Sequence, residues 1–320
     1  MQILITGAAG FIGFNLCKYL LKKNIKVFGI DNINSYYSKS LKLDRIKELK
    51  KFKKFNFKKI DIRSENELLI FFKKKKIDVI IHLAAQEGVR YSLINPTEFV
   101  QNNILGFYNV INLAKKKGIK KVLYACSSSV YGDSNNFPLK ENQIINPKNI
   151  YSLSKKNNEE MAEIFSKQFN IELIGLRFFT IYGEWGRPDM FLMKYLTSSF
   201  DKTKKFYLNN FGNHTRDFTY ILDACEIIEK LLISKKKQLK HQIFNICSNN
   251  PVKLLNIIKE LNRITTKKPK IYTRKLQEAD VIKTHGSNKK ILSIIGYKKF
   301  IPIKIGLMNT LNWFRRYYNC

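Results

Sequence analysis

Tyr151 and Lys155 stand four residues apart in "YSLSK", downstream of three consecutive serines, Ser127, Ser128 and Ser129, in "CSSSVYG". On a helix that spacing projects a phenol and an ammonium from one face. A tyrosine with a pKa near 10 must lose about three units to act as a base at neutral pH, roughly 4 kcal/mol of differential stabilisation. Neighbouring positive charges supply that difference, and a hydroxyl at a strand end can share the proton. Alone, a Tyr/Lys pair at this spacing is ordinary surface decoration. A second cluster gives it weight: "ITGAAGFIG" sets Gly7, Gly10 and Gly13 where an apolar run gives way to a helical pattern, and Asp31 follows 18 residues after Gly13. Glycines there permit a tight turn and a close approach of backbone to a pyrophosphate, which meets the free amides of a helix N-terminus. A carboxylate at Asp31 suits adenosine ribose hydroxyls and repels a 2′-phosphate, which favours NAD over NADP.

The elements that must hold these groups alternate. Short apolar runs, "QILITG", "KVFGID", "FKKIDI", "VIIHLA", "KVLYAC" and "ELIGLRFF", are separated by helical patterns at 13–23, 38–51, 64–76, 97–117 and 150–169. Strands of four to six residues between helices of ten to twenty predict βαβ units, a parallel sheet and a doubly wound α/β (Rossmann) fold. Beyond about residue 178 the beat breaks. The expected division is a cofactor-binding domain over 1–177 and a smaller C-terminal substrate lobe over 178–320, with helices at 191–200, 222–233, 252–264 and 303–318 and "HQIFNIC" (241–247) returning to the main sheet. The last helix reads as a cap on the lobe.

Taken together, "TGAAGFIG", "SSSVYG" and "YSLSK" resemble the extended short-chain dehydrogenase/reductase family, the NAD-dependent epimerases and dehydratases of nucleotide sugars, over nearly the whole chain. Within it, "GIDNINSYYSKSLKLDRI", "HLAAQEGVRYS" and "RFFTIYGEWGRPDM" are similar to the UDP-glucuronate 4-epimerase branch. The resemblance implies Tyr151 as base, Lys155 as its electrostatic helper and Ser127 as the third catalytic group. It implies NAD contacts at the three glycines and Asp31, at Phe11, Ile12 and Asn32, at Asp61 and Ile62, at Leu83, Ala84 and Ala85, and at Asn102. Gln86 and Arg90 are implied beside the sugar and Arg216 on the diphosphate, where a fork of donors suits phosphate oxygens.

The serines bear on which reaction follows. Family dehydratases carry an Asp-Glu pair just before their Val-Tyr-Gly, and the decarboxylases a glutamate at the second position. Here those positions are Ser128 and Ser129. Epimerisation remains: a 4-keto sugar forms, turns over and is reduced on its other face. With glucuronate that ketone is a β-keto acid prone to lose carbon dioxide, so its carboxylate needs holding. Ser128, Ser129, Thr180 and Arg187 are the candidates for a cradle; the competing reading is that the serines only cap backbone groups at a strand end. Two departures from the family pattern fall in the lobe: "QEADV" (277–281) keeps Asp280 but lacks the usual proline and glycine, and Glu184 replaces a proline. They leave a neutral UDP-sugar such as UDP-glucose or its N-acetyl form as the alternative substrate.

Composition bounds the rest. Hydrophobic residues are 44% and aromatics 13% of 320, enough for a large core. With 58 basic and 25 acidic residues the net charge is +33, which raises a nucleic acid partner, and hence an RNA-binding or NAD-sensing role, as the rival from another class. The lysine runs lie between periodic segments, and no zinc-finger, helix-turn-helix or RNP pattern accompanies them, so solvated lysines are the expectation. Five cysteines (17, 126, 225, 247 and 320) and four histidines (82, 214, 241 and 285) are scattered without metal spacing. The chain runs from Met1 straight into "QILITG" with no signal pattern or span-length apolar stretch; a cytoplasmic enzyme with no metal and no membrane partner is expected, and the family implies a homodimer through helices 97–117 and 150–169.

Overall fold

The computed structural model describes residues 1–73, 75–234, 240–277 and 280–320. Six strands alternate with helices in the first half: β1 (Gln2–Thr6), α1 (Phe11–Lys22), β2 (Lys26–Asp31), α2 (Lys39–Lys50), β3 (Phe55–Lys59), α3 (Glu65–Phe72), β4 (Val79–His82), then after a helical run β5 (Lys121–Ser127), and β6 (Glu172–Phe178). The later part adds β7 (Thr180–Tyr182), β8 (Phe206–Asn209), β9 (Thr215–Tyr220) and β10 (His241–Ile246). Seven strands form one sheet in the order β10-β6-β5-β4-β1-β2-β3, every pair parallel. All four residues of β4 are buried, as a strand covered on both faces requires. The chain winds outward from β1 through β2 to β3, then crosses back to β4. That reversal opens a crevice beyond the C-terminal ends of β1 and β4, where doubly wound sheets bind ligands.

Two helices differ from their sequence patterns. α3 is capped by Ser64, whose side chain accepts from the Glu67 amide, and ends at Phe72 instead of 76, because the lysine-rich stretch that follows has no apolar side chain to bury. The pattern at 97–117 is not one regular helix. Single turns α4 (Tyr91–Ile94) and α5 (Pro96–Phe99) lead into a π-helical stretch, Val100–Leu105, before α6 (Gly106–Lys116). The wider turn rotates Asn102 and Asn103 inward: Asn103 pairs with both backbone groups of Gln86, at 2.7 and 3.0 Å, and donates to Ser154 at 3.0 Å. Such π-bulges often mark functional sites.

α7 (Ile150–Phe169) covers β5 and β6, held at its start by an Asn149/Ser152 capping box. The remaining helices are α8 (Phe191–Phe200), α9 (Ile221–Ile233), α10 (Leu254–Ile264), α11 (Lys289–Ile295) and α12 (Ile303–Tyr318). The last strands, β11 (Pro251–Lys253) and β12 (Ile271–Arg274), complete two small sheets, β11-β9-β7 and β12-β8. α9 packs on α1, and one apolar core runs from Ile5 and Phe14 to Leu196, Ile227 and Trp313. The lobe is therefore fastened to the sheet, and α12 caps it through Trp313, 5.3 Å from the Trp185 ring.

Candidate active site

A cleft of about 440 Å³ lies at the crevice between sheet and lobe. Its cofactor end begins at Gly7, which has φ +72°; a Cβ there would sit 2.7 Å from the Ala84 amide nitrogen. A Cβ on Gly13 would lie 2.0 Å from the Gly7 carbonyl oxygen. These contacts pack the loop tightly against β4 and α1. Gly10 caps α1 with no side-chain bond to the first-turn amides, which leaves them for an anion. Asp31 faces the same space and accepts from the Ala9 and Ile33 amides at 3.1 and 2.8 Å. Burial raises its pKa, against the pull of those amides and of Lys42 and Arg45. Phe11, Ile12, Asn32, Ile62, Leu83, Ala84, Ala85 and Asn102 also line the cleft. Asp61 is not among its lining residues: its carboxylate is forked by Arg63 at 3.0 and 2.8 Å and reached by Asn32. Glycine loop, open helix terminus and ribose-side carboxylate fit NAD.

The sheet edge of the cleft gathers Ser127, at the end of β5, with Tyr151 and Lys155 from α7. Ser127 and Tyr151 line the cleft together, and the Ser127 hydroxyl pulls the phenol pKa down. Lys155 is buried, and its ammonium donates to the Ala125 carbonyl at 3.1 Å. Burial lowers Lys155 to about 8 and raises Tyr151 to about 12, with the Ser127 hydroxyl holding the phenol down in part. Desolvation dominates both groups. Under them lies a cluster the sequence analysis did not select: Glu159, four residues beyond Lys155, is forked by Arg177 at 2.7 and 2.7 Å and accepts from the Cys126 thiol at 2.7 Å. The continuing helical spacing 151, 155, 159 was the available signal.

Away from the glycine loop, Gln86, Ser128, Ser129, Thr180, Arg187, Arg216 and Asp280, the residues expected at the sugar, line the cleft; Arg90 does not, but pairs with Asp280 at 2.6 Å. The Arg216 guanidinium donates to the Thr215, Val281 and Ile282 carbonyls, and burial lowers its pKa to about 10. Of "QEADV", Glu278 and Ala279 lie outside the described residues. Arg187 is held by Asp189 through two 3.0 Å bonds and meets Glu87, another cleft residue that sequence reasoning passed over. Ser129 lines the cleft with the other cradle candidates, and its amide and its hydroxyl both donate to the Ser127 oxygen, at 3.1 and 2.9 Å. A hydroxyl has one proton, and this one is spent on Ser127. Arg45 was also missed. Fully buried, it donates to Ala9 O, to Tyr37 and to Trp185 O at 2.7, 2.7 and 2.5 Å, tying the glycine loop to the segment that carries Arg187.

A doubly wound sheet with a glycine loop at its switch point, and a Tyr/Lys helix beside a strand-end serine, define a dinucleotide-dependent enzyme that moves a hydride and a proton. The chain belongs to the NAD dependent epimerase/dehydratase family, whose model matches residues 3–247. It is 41% identical over 316 residues to an uncharacterized protein of Methanocaldococcus jannaschii, covering 98% of this chain and 96% of the relative. It is 35% identical to the UDP-glucuronate 4-epimerase of Thermodesulfobacterium geofontis, over 97% of this chain and 95% of that one. The crystal structure of UDP-glucuronic acid 4-epimerase from Bacillus cereus, in complex with UDP-glucuronic acid and NAD, matches with a TM-score of 0.92 at 30% identity, covering 99% of this chain and 100% of that one.

Proposed function

We propose that the chain interconverts UDP-glucuronate and UDP-galacturonate as an NAD-dependent 4-epimerase. The observation that carries this reading is the hydroxyl-only turn after β5, Ser127 to Ser129, beside Tyr151 and Lys155 in one cleft with the glycine loop. NAD, when bound, supplies a hydride acceptor and a positive ring charge. Tyr151 takes the proton of the sugar 4-OH, its phenolate stabilised by the Ser127 hydroxyl and by the charge of Lys155. Those charges must offset the desolvation that holds the phenol near 12. After the 4-keto sugar turns about its diphosphate link, its other face is presented for the hydride to return to C4, and Tyr151 gives the proton back to O4.

Arg216 is in reach of the diphosphate, and Gln86 and Thr180 flank the sugar. The substrate carboxylate is held by Ser128, Thr180 and Arg187, which opposes decarboxylation of the keto acid. NMR of purified protein with UDP-glucuronate tests the reading: UDP-galacturonate signals appear, and Tyr151→Phe abolishes them. Absence of the product at high enzyme concentration overturns it.

One observation favours a neutral UDP-sugar as second reading: Glu87 and Asp189 already oppose the charge of Arg187. Incubation with UDP-glucose and UDP-N-acetylglucosamine in parallel separates the two.

The working unit of this reading is a homodimer. Leu105 at the end of the π-helical stretch, Tyr108 in α6, and Leu153 and Ile164 on the neighbouring α7 are apolar yet exposed, Ile164 by 56%. A second copy apposing the same helices would cover them. Four of the five cysteines are buried free thiols, which suits a reducing compartment, and we place the enzyme in the cytoplasm. Among the described residues no helix is long and apolar enough to cross a membrane.

A further inference from the structure

We infer that Ser129 is a positioning residue for the proton transfer, not a ligand of the sugar. The argument is one of hydrogen-bond valence. Ser127 caps the 3₁₀ turn Ser128–Tyr131, and its oxygen accepts from the Ser129 amide at 3.1 Å and from the Ser129 hydroxyl at 2.9 Å. A serine hydroxyl has two acceptor sites and one proton. With both acceptor sites filled from Ser129, the Ser127 proton is left to point into the cleft, which Tyr151 also lines and where the Ser127 hydroxyl pulls the phenol pKa down.

The consequence is a fixed polarity. If Ser127 were free to rotate, it would accept from the neutral phenol as readily as donate to the phenolate. Locked by Ser129, it donates, and a donor favours the charged form of its partner. The same lock disqualifies Ser129 from the carboxylate: a carboxylate only accepts, and Ser129 has no proton left to give it. The turn geometry keeps the lock in place, because Ser129 follows Ser127 by two residues and Gly132, at φ +63°, closes the turn behind it.

This inference rests on Tyr151 as the base, as proposed above, but not on the identity of the sugar. Its test compares wild type, Ser129→Ala, Ser129→Thr and Ser127→Ala from pH 6 to 10, with UDP-glucuronate and UDP-glucose each offered. The readouts are epimer formation and single-turnover NADH absorbance on whichever sugar wild type accepts; acceptance of UDP-glucose alone defeats the substrate assignment and leaves this test intact. Ser129→Ala is expected to lower kcat about 10-fold at pH 7, leave KM within about twofold and move the acid limb of the profile up by about one unit. Ser129→Thr, which keeps the hydroxyl, restores most of kcat and the profile. A raised KM with unchanged kcat and an unmoved acid limb would show that Ser129 holds the sugar, and an unaltered Ser129→Ala enzyme would show that the lock does nothing; either result overturns the inference.

Discussion

At the scale of single residues, the site places charge where burial opposes it. Lys155 shows the cost most plainly. Its pKa falls from an ordinary 10.5 to about 8, so the unfolded chain holds that proton more tightly than the folded one. The penalty is complete below pH 8 and is relieved as pH rises towards 10.5. It amounts to about 3 kcal/mol at neutral pH. Lys155→Met is therefore expected to abolish turnover while stabilising nucleotide-free protein by about 2 kcal/mol at pH 7, after loss of the Ala125 bond. Urea denaturation at pH 7 and at pH 10 checks this, because the gain must shrink at the higher pH. Glu87 makes a second point. It shares Arg187 with Asp189 at the sugar end, so a substrate carboxylate must compete for that guanidinium. Replacing it, as Glu87→Gln, is expected to raise kcat/KM for UDP-glucuronate about tenfold, a change near 1.4 kcal/mol, with little effect on a neutral UDP-sugar. A competition assay with both sugars present reads the ratio directly.

Among the elements, the glycine loop and the helix that follows it leave least freedom. The first turn of α1 comes so close to the loop that a single added carbon at Gly13 overlaps the backbone oxygen of Gly7, and backbone cannot swing aside as a side chain does. Gly13→Ala is expected to lower NAD affinity at least about tenfold and to reduce thermal stability, measured by NAD titration and by melting with and without the cofactor. The π-helical stretch before α6 illustrates what periodicity conceals. Residues 97–117 read as one amphipathic helix, and the apolar beat does persist. One wider turn nevertheless rotates Asn103 onto the backbone of Gln86 and onto Ser154, linking the segment beyond β4 to the helix that carries Tyr151. Nothing in an apolar pattern distinguishes an α-turn from a π-turn, since the choice is made by where the asparagine amides find partners.

For the whole molecule, the exposed apolar positions on α7, α6 and the π-helical stretch before it set a prediction on assembly. Light scattering after size exclusion is expected to give a dimer for wild type and a monomer for Leu105→Glu with Ile164→Glu, since two buried carboxylates at an apolar seam go unpaired. The parallel, doubly wound sheet and the segments that bring the glycine loop and the Tyr/Lys/Ser residues to one cleft were legible from the sequence because each rests on local signals: strand length, helical period, glycines at a strand-to-helix turn. So was the return of 241–246 to the sheet, which its apolar run suggested and β10 bears out beside β6. What the chain could not reveal by itself was how the groups divide their hydrogen bonds. Three adjacent serines look equivalent in sequence, yet the turn that follows β5 makes one of them an acceptor of two bonds and another their donor. Glu87, Asp189 and Arg187 come from two segments that meet only when the lobe packs on the sheet, and Arg45 joins the glycine loop to that lobe through a buried guanidinium. Local sequence determined the fold and nominated the groups proposed to react, because backbone conformation follows from nearest neighbours and burial pattern. Tertiary structure decided how the buried polar groups pair and what charge surrounds Arg187, because Glu87 and Arg187, like Arg45 and its carbonyl partners, lie far apart along the chain.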